Sequence, residues 1–394
     1  MINLQDKNVI EVDHFQTAKR QQFVSGDIFL SQRLKDEDRV ISVLADGLGS
    51  GVKASVLATL TATMALKYTA SSKDIRSSAE IIMNTLPVCS VRKISYSTFT
   101  VVDIDLSGRA RIIEHGNPPF IFWRDGREIM VAKQDLALKK WSDRVIQYSE
   151  FDVQLGDRLI FFSDGISQAG MGNVDTPLGW GEGVKPFIER IIAADGNISA
   201  HMLARRIVRR AVQMDGRGAL DDITCSVIYY RQPRQLLLVT GPPFARERDA
   251  ELARFIDTFP GKRVISGGTT ANIIARHLDR EIDTDMDFRA PGVPPGATME
   301  GMDLITEGTL TLNRVAGLLE SGALPEDEPK DPASALFSML LDSDIVYCIV
   351  GTRINEAHQD PNIPVELDLR RNIIRRIIDQ LEKQHCKETF VKFI

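Results

Sequence analysis

Val40-Ile41-Ser42-Val43-Leu44-Ala45-Asp46-Gly47-Leu48-Gly49-Ser50-Gly51 decides how this chain is read. It is a hydrophobic strand that ends on an acid and runs into a glycine-rich turn. Two further runs share the design. Asp157-Arg158-Leu159-Ile160-Phe161-Phe162-Ser163-Asp164-Gly165 again places an acid and a glycine after a strand, and Asp221-Asp222-Ile223-Thr224-Cys225-Ser226-Val227-Ile228 places two acids before one. A fourth acid stands early, in Ser25-Gly26-Asp27-Ile28-Phe29. An Asp at a strand terminus is held by a rigid element and points out of the apolar layer. If such termini converge, each pair of carboxylates repels by ~4 kcal/mol at about 4 Å and an effective dielectric near 20. A cation must then hold them, and oxygen-only ligands suit a hard divalent metal. Taken singly, each motif also reads as an ordinary turn, helix cap or acidic corner. Their joint occurrence favours a site. The lysine and spacing of a P-loop are missing, which argues against a phosphate cradle at Gly47–Gly51.

The chain has 394 residues, suited to two domains. Apolar residues make up 43% and charged residues 26%, ordinary for a folded soluble protein. The net charge of −6 argues against binding nucleic acid through phosphate neutralisation. Four cysteines without close pairing or zinc spacing read as reduced thiols in a cytosol. The start, Met1 to Lys7, lacks the pattern of a signal peptide. No apolar run approaches the ~20 residues that span a bilayer. A cytoplasmic location without direct membrane insertion is therefore expected.

Residues 1–231 mix strands, hairpins and helix pairs. Ser97–Asp105 and Arg109–Glu114 flank a tight turn, and Phe120–Trp123 and Glu128–Val131 flank an Asp-Gly turn. Helical spacing marks Val52–Tyr68, Ser77–Leu86, Gly183–Ala194 and Ser199–Met214, the last with Ser199 as N-cap. The expectation is an α+β domain of antiparallel sheets packed face to face, with helices outside. Arg231-Gln232-Pro233-Arg234-Gln235 reads as the boundary. Residues 236–394 alternate buried strands with helices, which predicts a mostly parallel α/β domain, so the chain as a whole is α/β. Residues 284–301 and 321–332 read as loops.

Five motifs occur in a fixed order: Gly26-Asp27-x-Phe29; Ala45-Asp46-Gly47-x-Gly49-x-Gly51-x-x-Ala54; Gly116-Asn117-Pro118-Pro119; Gly156-Asp157-x-Leu159-x-Phe161-x-Ser163-Asp164-Gly165-Ile166; and Asp221-Asp222-Ile223-Thr224. Over roughly residues 20–230 this order resembles the metal-dependent (type 2C) serine/threonine protein phosphatases, in the bacterial branch of the stage II sporulation protein E family. The resemblance implies an α-β-β-α layered sandwich with two Mn2+ or Mg2+ ions in a cleft at one edge. By matched motif, Asp46 would bridge the ions, the Gly47 carbonyl would ligate one, and Asp164 and Asp221 would be further ligands. Asp46, Asp164 and Asp221 would thus form the catalytic set. Asp27 would hold a metal-bound water. Asp222 would stand behind the ligands and support them or be an alternative ligand, and the choice between Asp221 and Asp222 stays open. The substrate implied is a phosphorylated regulatory protein, such as an anti-sigma-factor antagonist.

Two departures stand out. Leu48 occupies the place where many relatives outside this branch carry a histidine proposed as general acid. Glu114-His115-Gly116-Asn117 replaces the more frequent Asn-Ala-Gly-His order, and His115 admits either a site role or hairpin packing. A phosphatase-like scaffold without turnover and a hydrolase of small-molecule phosphate esters are the competing functions. The intact acids speak against the scaffold.

In the second domain the strand ends carry Gly and Thr. Gly267, Gly268, Thr269, Thr270, Glu307 and Gly308, with Arg353 as a cation, form a candidate site for a small anionic ligand, since parallel sheets bind ligands at the carboxyl ends of strands and helix N-termini attract anions. Plain helix capping is the competing reading. The domain is expected to regulate the first, by ligand binding or by docking a partner. A homodimer is compatible with the sequence but not required by it.

Overall fold

The computed structural model describes residues 8–71, 81–82, 97–138, 141–284, 294–323, 325, 328–353, 363–384 and 387–394. Of the helix expected at Ser77–Leu86, only residues 81–82 lie among these, and Cys89 and Cys386 lie outside them. The chain divides into two compact units, Asn8–Gln232 and Pro233–Ile394.

In the first unit the strands are β1 (Val9–Thr17), β2 (Asp27–Leu34), β3 (Arg39–Gly47), β4 (Ser97–Asp105), β5 (Arg109–His115), β6 (Ile121–Arg124), β7 (Arg127–Glu128), β8 (Gln134–Leu138), β9 (Trp141–Asp152), β10 (Arg158–Phe162) and β11 (Ile223–Arg231). They form two antiparallel sheets, β1-β11-β10-β6-β7 and β2-β3-β4-β5-β9-β8. The two-residue period of a strand sorts each side chain to one face. On β3, Val40 and Leu44 meet Leu159 and Phe161 of β10 and Ile228 of β11, which makes the core between the sheets. Ile41, Val43 and Ala45 turn the other way, onto Ala58, Ala62 and Ala65 of the helix Gly51–Ser71. Small residues there let the helix lie close to the sheet. On β10, Ile160 and Phe162 face away from the inter-sheet core, toward the helices Val184–Ala194 and Ala200–Met214. The layers are therefore helix, sheet, sheet and helices. Ser199 caps the last of these helices by accepting from the Met202 N–H, as its sequence position predicts.

A buried acid fastens this unit. Asp103 is fully buried on β4 and takes the Arg39 guanidinium at 2.6 and 2.9 Å, with Arg111 at 2.9 Å. Arg39 also donates to the Thr69 carbonyl near the end of the helix Gly51–Ser71, at 2.8 Å. Two differences from the sequence reading concern the sheets. The second hairpin's outer strand is only the two residues of β7, and the long β9 with its partner β8 was not anticipated. Its charged residues, Asp143, Arg144 and Glu150 among them, obscure the strand pattern.

The second unit holds β12 (Gln235–Thr240), β13 (Lys262–Ser266), β14 (Asp283–Thr284), β15 (Ala297–Thr298), β16 (Leu304–Thr306), β17 (Ile345–Val350) and β18 (Glu388–Phe393), in the order β14-β15-β16-β13-β12-β17-β18. The sheet is parallel from β16 through β18, and β14 and β15 add antiparallel pairs at one edge. Both faces are covered, which suits the uninterrupted apolar runs of β12 and β17. The helices Asp249–Asp257 and Gly268–Leu278 pack on Leu237, Val239 and Tyr347. The helices Thr309–Ser321, Pro332–Asp342 and Ile363–Lys383 pack on Leu236, Leu238 and Val346. The helix Pro332–Asp342 follows the acidic stretch read as a loop. Asp331 caps it, accepting from the Ser334 N–H at 2.8 Å, and Pro332 suits its first turn.

Candidate metal centre

Register brings the acids together. Asp27 at the start of β2 pairs directly with Asp46 near the end of β3. Across the core, Phe162 pairs with Cys225, so Ser163 and Asp164 emerge beside Thr224 and the acids preceding β11. The result is one cleft of about 480 Å3 lined by Asp27, Asp46, Gly47, Asp164, Asp221 and Asp222. All six metal-site residues read from the sequence meet there. Lys19, Thr98 and His115 also line it.

Each acid has a different setting. Asp27 is 1% exposed, and its Oδ2 accepts from the Ser163 hydroxyl at 2.6 Å and the Thr224 hydroxyl at 2.8 Å. Its Oδ1 is buried with no hydrogen-bond partner. Burial pushes the carboxyl up to about 7, against the two hydroxyls and with help from the charges of Asp222 and Asp164. Burial also pushes Asp46 up to about 9, aided by Asp27, Asp164 and Asp221 and by a hydrogen bond shared with Asp164. Asp164 opens the short helix Asp164–Ser167 rather than lying in a plain turn. Its carboxyl is raised by burial and by Asp221, while Asp46, Gln168 and the Gly165 N–H hold it down.

Asp221 and Asp222 part company here. Asp221 is 40% exposed, 3.7 Å from the Lys19 ammonium, and its charge acts on Asp46 and Asp164. Asp222 is 4% exposed and acts on Asp27 instead. Its Oδ1 accepts the Lys19 N–H at 2.9 Å, and its Oδ2 fills the space beside Gly26, where a Cβ would sit 2.9 Å away. Gly47 is fixed by a close approach: a Cβ there would stand 2.2 Å from the Ala54 carbonyl oxygen.

These residues fit divalent cations. The donor set is all oxygen, three carboxyls are raised by burial and mutual repulsion, and a buried carboxylate oxygen lacks a donor. Among the described residues no three His, Cys, Asp or Glu side chains already close into a ligand shell. Instead the charge of Asp164 helps to raise the Asp46 carboxyl. Ser163 and Thr224 are the residues that sequence reasoning missed. Ser163 stands next to Asp164 and Thr224 two residues after Asp222, but only the pairing of β10 with β11 shows that they reach Asp27.

In the second unit, Gly267 and Gly308 take φ +134 and +142, which only glycine adopts readily, and cap the helices Gly268–Leu278 and Thr309–Ser321. The Gly267 N–H donates to the Thr306 carbonyl at 2.9 Å and the Gly268 N–H to the Glu307 carbonyl at 3.2 Å. Thus Gly267, Gly268, Thr269 and Thr270 are brought beside Glu307 and Gly308. Arg353 is a correction. Its guanidinium donates to the Pro243 carbonyl at 2.7 Å and to the Asp249 carboxylate, so it is held in an internal ion pair.

Residues 36–231 match the family model of stage II sporulation protein E (SpoIIE). This part of the chain belongs to that family, one of metal-dependent serine/threonine protein phosphatases of the PP2C type. The remainder has no family assigned. No curated protein matches the chain. Among solved structures, it is similar to the PP2C phosphatase domain of Bacillus subtilis SpoIIE with a fragment of its regulatory domain, at 19% identity and TM-score 0.48, over 58% of this chain and 64% of that one. It is similar to the RsbU and RsbW domains of a Mycobacterium tuberculosis protein at 18% identity and TM-score 0.45, over 63% and 69%. The catalytic domain of the phosphatase PstP, in complex with two manganese ions, is similar at 15% identity and TM-score 0.38, over 57% and 99%. Among the described residues no helix is long and apolar enough to cross a membrane.

Proposed function

We propose that this chain hydrolyses phosphoserine and phosphothreonine on a bacterial regulatory protein, using two Mn2+ or Mg2+ ions. The observation that carries this is the convergence of five aspartates on one cleft, with Asp46 raised to about 9 and the Asp27 Oδ1 unpartnered. The family of residues 36–231 supports it.

Asp46, Asp164 and Asp221, with the Gly47 carbonyl, would hold the ions. When bound, such ions lower the pKa of water and neutralise phosphoryl oxygens. The chain's own residues do the rest. The Ser163 and Thr224 hydroxyls fix the Asp27 Oδ2, so that Oδ1 is the atom set to orient a water and accept its proton. Asp222 positions the Lys19 backbone, which supports Asp221 rather than Asp222 as the ligand. Cysteine chemistry is disfavoured at the two described thiols: burial pushes Cys348 up to about 12 and Cys225 higher still.

The test is Asp46→Asn. It should lower Mn2+-dependent hydrolysis of a phosphoserine peptide by about a thousandfold or more, with an unchanged circular dichroism spectrum. Retained turnover would remove the central claim. Turnover of sugar phosphates but not of the peptide would instead support a small-molecule hydrolase.

We propose further that residues 236–394 regulate this activity. Gly267, Gly268, Thr269, Thr270, Glu307 and Gly308 would take a small anion there, without Arg353. The measurable sign is thermal stabilisation by inorganic phosphate. The substrate protein we infer is a small phosphorylated regulator of the anti-sigma-factor-antagonist kind, and a phosphopeptide panel tests that choice.

A further inference from the structure

Hydrolysis of a serine phosphate needs a proton for the leaving oxygen, because an alkoxide is a poor leaving group. Position 48, which lines the cleft, is a leucine and has none to give. His115 lines the same cleft, the one histidine among the residues that do. It stands at the end of β5 and pairs with Phe99, against whose ring its own packs at 5.5 Å. The turn that follows is clamped onto β4: a Cβ on Gly116 would meet the Thr98 side chain at 2.5 Å, and Asn117 donates to the Thr100 hydroxyl at 3.1 Å. The end of β5 is thus held in place, with the ring resting on Phe99.

Register places it on the opposite face of the sheet from the water-holding acid. Asp46 pairs with Asp27 and with Thr98, on the face turned to the inter-sheet core. Phe99 and His115 belong to the opposite face, where Phe99 joins the core under the helix Gly51–Ser71. The imidazole therefore reaches the cleft over the strand end, about two strand spacings or ~10 Å from β3. In-line displacement at phosphorus needs the attacking water and the leaving oxygen on opposite sides, so the proton donor must be a different group from the acid that holds the water. The His115 Nδ1 lies 3.3 Å from the Val145 carbonyl oxygen. A carbonyl only accepts, so Nδ1 is the donor in this contact, and Nε2 is the ring's other nitrogen.

We propose that His115 is the general acid of this chain. The bond from phosphorus to the seryl Oγ breaks, its electron pair stays on Oγ, and the Nε2 proton moves there. Water forms the new bond to phosphorus. The proton that water gives up to Asp27 passes on to solvent, and solvent reprotonates His115, leaving a serine hydroxyl and inorganic phosphate. The proposal rests on the phosphatase reading.

Two substrates test it with the full chain in Mn2+. p-Nitrophenolate leaves without a proton, whereas serine does not. His115→Gln should cut kcat about a hundredfold or more on a phosphoserine peptide and less than about threefold on p-nitrophenyl phosphate. Equal losses on both substrates, or no loss on either, overturn the proposal. If the glutamine variant fails to fold by circular dichroism, His115→Asn is measured in the same way. A wild type that turns over neither substrate overturns the phosphatase reading and this proposal with it, so the two failures are distinct.

Discussion

In the first unit, β2 and β3 meet at Asp27 and Asp46. In the second, β13 and β16 end side by side on Ser266 and Thr306, and a glycine caps the helix that follows each. The geometry is similar, with adjacent strand termini at one edge of a sheet, but the polar groups are treated differently. Thr306 donates its hydroxyl to Ser266 at 2.9 Å, and carbonyls take the N–H groups of Gly267 and Gly268. The second edge is satisfied internally. The first is not: two acids face each other, one raised to about 9 and one to about 7, with an oxygen left over. Folded proteins pair nearly all their buried polar groups. A cluster that cannot pair itself points to something from outside, whereas a satisfied edge is equally good as plain architecture.

Asp103 gives the sharpest check, because it is a buried acid that does have partners. Asp103→Ala would strand Arg39 and Arg111 in the protein interior. The expected loss is about 3–5 kcal/mol, read as a lower urea midpoint. A loss below about 1 kcal/mol would mean that burial and pairing do not separate structural acids from site acids in this fold.

Asp46 should behave in the opposite sense. Its carboxyl is raised from 3.8 to about 9, so the unfolded chain gives up its proton first as pH rises. Folding then takes up a proton, and the metal-free protein loses stability as pH climbs from the unfolded value toward about 9. Asp27 and Asp164 act in the same direction. The melting temperature of metal-free protein should therefore fall across this window, and Asp46→Asn should flatten part of the slope and raise the alkaline end. Mn2+ at about a hundred times its Kd should restore about 2.7 kcal/mol. A metal-free melting curve indifferent to pH would show that these acids do not crowd one another.

Much of this contrast is written in the sequence, for a physical reason. Acids and glycines at the ends of apolar runs are local signals, so Asp27, Asp46, Asp164, Asp221 and Asp222 could be named before any contact was known. Helices with a clear cap, such as the one after Ser199, were equally legible. Pairing across a sheet is not local. Nothing adjacent in the chain says that Ser163 and Thr224 would bind the Asp27 carboxylate, or that Asp222 would take the Lys19 backbone N–H while Asp221 lies beside the Lys19 ammonium. Arg353 shows the reverse error. A cation after a strand end invited an anion from outside, and Asp249, more than a hundred positions away, supplies one from within.

The smallest expected effect bears on the second edge. A Cβ on Gly268 would have nothing within 4 Å, and its φ is not among the positive ones. Gly268→Ala should therefore change stability by no more than about 0.5 kcal/mol, as at an unconstrained surface position. If these loops only cap helices, inorganic phosphate shifts the melting temperature of neither protein. If they bind an anion, phosphate raises the melting temperature of the wild type, and the added methyl, standing where the ligand would approach the helix N-terminus, removes that shift while leaving the baseline in place. A shift that survives in the variant places the phosphate elsewhere and returns the Gly267–Thr270 loop to architecture alone.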